Sequence, residues 1–213
     1  MVIPLFKKSS KSLDNVIYFT YTSSSSFYNK VIRTKEMVEM MNWLRGNNYA
    51  ATLLTIIRLY VGWEWMTAGW HKITGDKAFD AAGFLKGAIA KPVLESGTTE
   101  LVYPNYVAFL RNVALPNVEL FNNLIPWGEF LVGLGLLLGA LTTTAMFFGV
   151  LMNVMFMFAG TVSTNPWLML LGVIILAAGA NAGKFGVDHL LLPVLHKWFD
   201  KIADRFHLKP RLR

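Results

Sequence analysis

Three ionisable side chains, Arg58, Glu64 and Glu129, stand inside apolar stretches of the chain. A charge in a lipid-embedded helix costs several kcal/mol unless it is paired or hydrated, so each is a candidate functional group. Helical rise places Glu64 and Glu129 at a common depth, about 10–14 Å inside the same end of two antiparallel helices. Asn153 comes close to that level, and Arg58 lies about 9 Å deeper, within reach of its long stem. Arg58 and Glu64 are about 120° apart around their helix and face different neighbours, while His71 shares the Glu64 face. One cation with two carboxylates leaves one negative charge in excess, which predicts that one glutamate carries a proton at neutral pH. A neutral buried carboxyl beside a guanidinium suits chemistry in which protons accompany electrons, as in quinone reduction, and it equally suits a proton-coupled carrier. The plain packing alternative is an Arg58–Glu129 ion pair that fixes two helices, with Asn153 bonded to a neighbouring backbone.

Other residue types narrow the chemistry. The chain has no cysteine, which excludes disulfides, thiolate metal sites and dithiol redox chemistry, so any electron must ride on a bound cofactor. A haem needs histidines facing each other from two spans, yet only His71 lies near one, with His189, His196 and His207 in the C-terminal tail. No haem, flavin or metal is therefore expected. Trp63, Trp65, Trp70, Trp127 and Trp167 fall near span ends as interfacial anchors, and Trp65 could also stack on a quinone headgroup. Gly135 and Gly139 form a GxxxG pattern, with Gly128 and Gly133 nearby, which reads as close helix packing.

The elements that must position these residues are membrane helices. At 54% hydrophobic and 15% charged residues over 213 positions, with a mean hydropathy of +0.42, the chain is too apolar for an ordinary soluble domain of this length. A bilayer core needs roughly 20 apolar residues of helix. Four stretches fit: 50–73, 121–141, 143–162 and the shorter 166–182, the last opened by Asn165-Pro166 as N-cap and first helical residue. The second and third must be antiparallel neighbours, with the turn expected at Thr142-Thr143-Thr144. The expected fold is an all-α, integral membrane four-helix bundle. Between spans 1 and 2, two amphipathic extracytoplasmic helices are expected at 79–90 and 106–115.

Lysine and arginine flank the first span on its N-terminal side and the fourth on its C-terminal side, so both ends are expected in the cytoplasm of a multi-pass cell-membrane protein. Residues 1–49 read as a cytoplasmic tail, disordered by composition; residues 50–188 as the membrane domain; residues 189–213 as a basic amphipathic tail. In that tail Leu191, Leu195, Trp198, Ile202 and Phe206 share one face, an interfacial helix suited to anionic lipid or to a partner subunit. The net charge of +7 sits mainly in the tails, which favours the anionic bilayer surface over nucleic acid as partner. No cleaved signal is expected, because the first apolar stretch is short and leads into serines. Lys35-Glu36 can be encoded by a ribosome-binding sequence just ahead of Met40-Met41, which makes either methionine a candidate translation start.

Three motifs in order carry a family likeness. Arg58-x3-Gly62-x6-Gly69-x2-Lys72, Glu129-x3-Gly133-x5-Gly139 and Gly186-Val187-Asp188 together resemble the signatures of the DoxX family of small four-helix membrane proteins, and the long connection after the first span resembles its DoxD-like branch. The resemblance implies a membrane subunit linked to oxidoreduction, similar to the quinone-reducing membrane subunit of thiosulfate:quinone oxidoreductase. It carries over Arg58, Lys72, Glu129 and Asp188 as matched positions, with Gly62, Gly69, Gly133 and Gly139 as the structural glycines. The combined expectation is a quinone site in which Glu129 exchanges protons, assisted by Glu64. Arg58 stabilises reduced quinone, Lys72 and His71 receive the donor, and Asn153 and Trp65 line the site. The alternatives are a small proton-coupled carrier working as a homodimer, or a non-catalytic scaffold for redox partners.

Overall fold

The Asn47 side chain accepts hydrogen bonds from the Tyr49 and Ala50 backbone N–H groups at 2.7 and 3.3 Å and so opens the longest helix, α2 (Asn48–Thr74, 27 residues). The computed structural model describes residues 33–205, with side chains to 202. The chain divides into two units, one ending at Trp43 and one beginning at Leu44. The described part of the first is helical and largely exposed, where composition predicts disorder. Within the described residues that helix, α1, covers 33–46. The rest of the expected N-terminal tail, and the basic residues from 206 to 213, lie outside the described residues.

Four helices of the second unit pack in a ring: α2 against α5 (Val118–Leu138), α5 against α6 (Thr142–Phe158), α6 against α7 (Asn165–Ala178), and α7 against α2. A 3₁₀ turn, Gly179–Gly183, extends α7, and α8 (Asp188–Arg205) closes the described chain. Val118–Leu138 and Asn165–Gly183 are long and apolar enough to cross a membrane. Helix α2 spans about 40 Å, but Arg58, Glu64 and Lys72 lower its hydropathy, and α6 is 17 residues long. The surface is turned inside out relative to a water-soluble bundle. Leu53, Ile56, Trp63, Leu131, Phe147 and Leu170 are more than half exposed, while Arg58, Glu129, Asn153 and Asp188 are each 3% exposed or less. Burying charge while displaying large apolar side chains is stable only where hydrocarbon is the solvent.

The α5–α6 turn falls earlier than expected. Gly139 takes φ of 64°, left-handed, and its N–H satisfies the closing carbonyls of α5. Leu141 is also left-handed, at φ 51°, and the three threonines form the first turn of α6 rather than the connection.

Between α2 and α5 the chain builds a cap from α3 (Ala81–Ala90), α4 (Pro104–Phe109) and a π-helical turn, Leu110–Ala114. Its helices carry a second apolar cluster, in which Leu85, Leu110 and Ala114 meet Ile125 of α5 and Ala159 after α6. Tyr103 stacks on Phe158 at 4.2 Å between ring centroids, and the Tyr106 hydroxyl donates to the Met155 carbonyl at 2.8 Å. Burial pushes the Tyr106 phenol up to about 12. Helices are therefore present where the two were expected, and they pack against α5 and the end of α6.

Candidate functional site

A lysine in the last turn of a membrane helix normally reaches outward to water. Lys72 instead bends back. Its Nζ donates to the Glu129 carboxylate at 2.6 Å and to the Ala68 carbonyl at 3.3 Å. The Glu129 side chain is 4% exposed and that of Lys72 is 30% exposed, so the pair runs from a buried anion to a cation at the rim. The ring of Phe79, from the cap, lies 5.9 Å from Nζ.

Glycines bring the two groups together. A Cβ on Gly69 would approach the Pro126 carbonyl oxygen to 2.6 Å and overlap the Phe130 backbone; one on Gly133 would overlap the backbone of Met66. At Gly62 the corresponding approach to Leu136 Cβ is 3.0 Å. Bare backbone at these three points lets α2 and α5 lie close enough for Lys72 to span to Glu129. Gly135, by contrast, faces Ala145 of α6.

At about the level of Glu129 in the bundle are polar groups that the protein leaves unused. Gly128 meets Met152 and Gly149 meets Val132 across α5 and α6, and that register brings Asn153 level with Glu129. Asn153 is fully buried, and neither its amide nitrogen nor its oxygen has a partner, so the expected bond to a neighbouring backbone is not formed. The Trp65 indole N–H, near Gly149, is also buried and unpartnered. Each such group costs about 1–3 kcal/mol in a folded protein, so a set of them at one level of the bundle calls for a partner that the chain does not supply. Two N–H donors and one carbonyl acceptor are offered here.

Arg58 belongs elsewhere, which corrects the expected Arg58–Glu129 neighbourhood. It stands about 20 Å along α2 from Lys72, at the opposite end of the ring. Its guanidinium is seated between Gly139 and Gly186, where any Cβ would collide with Nη1, and its Nη2 donates to the Phe185 carbonyl at 3.4 Å. Asp188 supplies the nearby negative charge. That carboxylate in turn accepts from the backbone N–H groups of Leu141 at 2.6 Å and Thr142 at 2.9 Å, capping α6 across 46 residues of sequence. The Asp188 N–H returns a bond to the Gly139 carbonyl at 2.7 Å. Gly183 packs against the same carboxylate, where a Cβ would lie 2.8 Å from the Asp188 Cβ. This is a lock joining α2, the α5–α6 turn and the start of α8.

The charge count changes with the geometry. Lys72 pairs with Glu129, and the charge near Arg58 is that of Asp188, so Arg58 does not balance a carboxylate at the Glu129 level. Glu64 lies half-buried on the flank of α2, with no partner for its carboxylate among the described residues, and His71 is exposed. Neither joins the pair. No motif or spacing in the sequence marks Tyr106, Gly183 or Asn181: Asn181 Nδ2 donates to the carbonyls of Leu44 and Asn47, fastening the α1–α2 joint to the 3₁₀ turn.

No curated protein and no solved structure matches the chain. The DoxX family model matches residues 53–162, a span that contains the Lys72–Glu129 pair, Arg58, all the close-approach glycines between α2 and α5, and Asn153. The chain belongs to the DoxX family of membrane proteins.

Proposed function

We propose that this protein is the membrane subunit of a quinone-linked oxidoreductase, passing electrons from a reduced sulfur compound or thiol to quinone at the capped end of the bundle. The observation that carries the reading is the buried Lys72–Glu129 pair at about the level of the unpartnered Asn153 amide, with the unpartnered Trp65 N–H near Gly149, one turn along α6. In this reading α2, α5, α6 and α7 all cross the cell membrane, with both chain ends in the cytoplasm, the cap outside, and the basic face of α8 on anionic lipid. A DoxD-like assignment fits the long cap.

The residues present fit a quinone. Trp65 Nε1 and Asn153 Nδ2 are donors suited to quinone carbonyls, and Asn153 Oδ1 is an acceptor suited to a quinol hydroxyl. A quinone, when bound, supplies an acceptor for two electrons and two protons; oxidation of two thiols to a disulfide, or of two thiosulfates to tetrathionate, supplies the electrons. Glu129 holds and delivers protons at its carboxylate, and Lys72, at the rim, replaces them from the outer aqueous phase and attracts the anionic donor. The cap excludes bulk water. Arg58, assigned to reduced quinone from sequence, becomes a positioning residue in the lock, and Glu64 becomes a flank residue.

The test is lipid extraction from purified protein with mass spectrometry for quinone, combined with quinone-reduction assays. Bound quinone should be found, and Glu129→Gln should lower turnover at least a hundredfold, the lower end of general acid–base contributions, while Glu64→Gln stays within a few-fold of the parent. A protein free of quinone whose Glu129→Gln form is as active as the parent would overturn the reading.

A further inference from the structure

At the end of the bundle away from the Lys72–Glu129 pair, a cavity of about 340 Å³ opens between the end of α1, the 3₁₀ turn and the first turns of α8. Arg45, Lys184, His189 and His196 line it, with Leu192 as an apolar wall. Asp188 is the one acidic group in the lining, and both its oxygens are engaged by the Leu141 and Thr142 N–H groups, with Arg58 behind it. Its charge is directed into the lock. Arg45 is fixed by the bond from its Nε to the Ala177 carbonyl at 2.9 Å, and Lys184 by its bond to Asn48 Oδ1 at 2.6 Å. The terminal guanidinium nitrogens of Arg45 and both imidazoles have no protein partner among the described residues.

We infer that this cavity binds a phosphate-bearing anion. Two cations held in place by single bonds, with donor capacity to spare, and two imidazoles around one concave space match the oxygens of a phosphate group, for which arginine forks and lysine point charges are the usual ligands. The adjoining surface of α8 favours a lipid headgroup as the source: Leu190, Val194 and Trp198 are all more than half exposed, apolar side chains that acyl chains would cover. Free phosphate presents the same oxygens without the chains. The site does not depend on the redox reading.

The experiment is native mass spectrometry of the full chain in detergent, with short-chain phosphatidylglycerol, phosphatidylcholine or inorganic phosphate added separately and in competition. Phosphatidylglycerol should be retained at least tenfold more tightly than phosphatidylcholine, whose trimethylammonium is repelled by Arg45 and Lys184. The paired variant Arg45→Gln/Lys184→Gln should lose that preference. The second variant, His189→Gln/His196→Gln, alters exposed positions on α8 and should weaken retention at least threefold without changing the melting temperature. Displacement by inorganic phosphate would assign the site to the phosphate group itself; retention against it would assign the site to the whole lipid. Equal retention of the two lipids, or phosphatidylglycerol binding untouched in the histidine variant, would overturn the proposal.

Discussion

The Lys72–Glu129 contact is the most consequential pair of side chains in the molecule, because a carboxylate this deep is tolerable only with its cation in place. Removing one partner of a buried pair costs about 3–5 kcal/mol, whereas replacing both with neutral groups of similar size is often harmless. Lys72→Met should therefore lower the melting temperature in detergent sharply, and Lys72→Met/Glu129→Gln should recover most of the loss. A Lys72→Met protein as stable as the parent would show that the two side chains do not meet. Tyr106 offers a second measurement. Its phenol is raised from the usual 10 to about 12, so above pH 10 the unfolded chain releases the proton while the folded chain keeps it. Stability should fall as pH rises from about 10 to about 12. Tyr106→Phe should reduce that slope, which chemical denaturation at stepped pH would detect.

A polar group in an apolar run is conspicuous, which singled out Glu129, Arg58, Glu64 and Asn153, while Lys72 entered through the family motif. Their pairing was hidden. Axial rise gives depth, but which groups meet depends on how closely two helices approach and on which way a flexible stem folds. Lys72 looked like a rim residue until the bare backbone at Gly69 and Gly133 brought α5 within its reach. The carboxylate nearest in charge to Arg58 is Asp188, beyond the five helices α3 to α7 in sequence, where no spacing rule connects them.

At the scale of elements, the α2–α5 contact rests on surfaces that accept no Cβ. Gly133→Ala would drive a methyl into the Met66 backbone and should destabilise by about 1–3 kcal/mol, the range for overpacking. Gly128→Ala, whose nearest neighbour is the flexible Met152 side chain at 3.4 Å, should be close to neutral. Thermal melts of the two variants side by side make the comparison, and equal melting temperatures would place the close approach elsewhere. The helices themselves were legible because each apolar run is long. The α5–α6 boundary was not, because polarity pointed to the threonines while backbone conformation put the turn at Gly139–Leu141, and the hidden carboxylate of Asp188 allows Thr142 to begin a helix.

For the whole molecule, the ring of α2, α5, α6 and α7 predicts opposite sides for the cap and for α8. The chain has no native cysteine, so Thr99→Cys in the cap and Lys197→Cys on α8 can each be probed with a membrane-impermeant thiol reagent in intact cells. Thr99→Cys should label from outside and Lys197→Cys only after the membrane is opened. Labelling of both from one side would contradict the three crossings, by α5, α6 and α7, that separate them. The all-α class and the approximate reach of the four ring helices followed from composition and run length. The packing of the cap against α5 and the end of α6 depends on tertiary contacts that composition does not encode, and the largely exposed helix over 33–46 departs from the disorder that composition predicts there.

The Asp188 bond to the start of α6 also sets an order of events during synthesis. The α5–α6 hairpin leaves the ribosome well before Asp188 is made, so its exposed N–H groups wait on a residue that follows the last helix of the ring. The bundle cannot tighten around Arg58 until translation has passed that point. Final closure is thus late, and a nascent chain halted at Val187 would carry all four ring helices yet lack the clasp that fastens them.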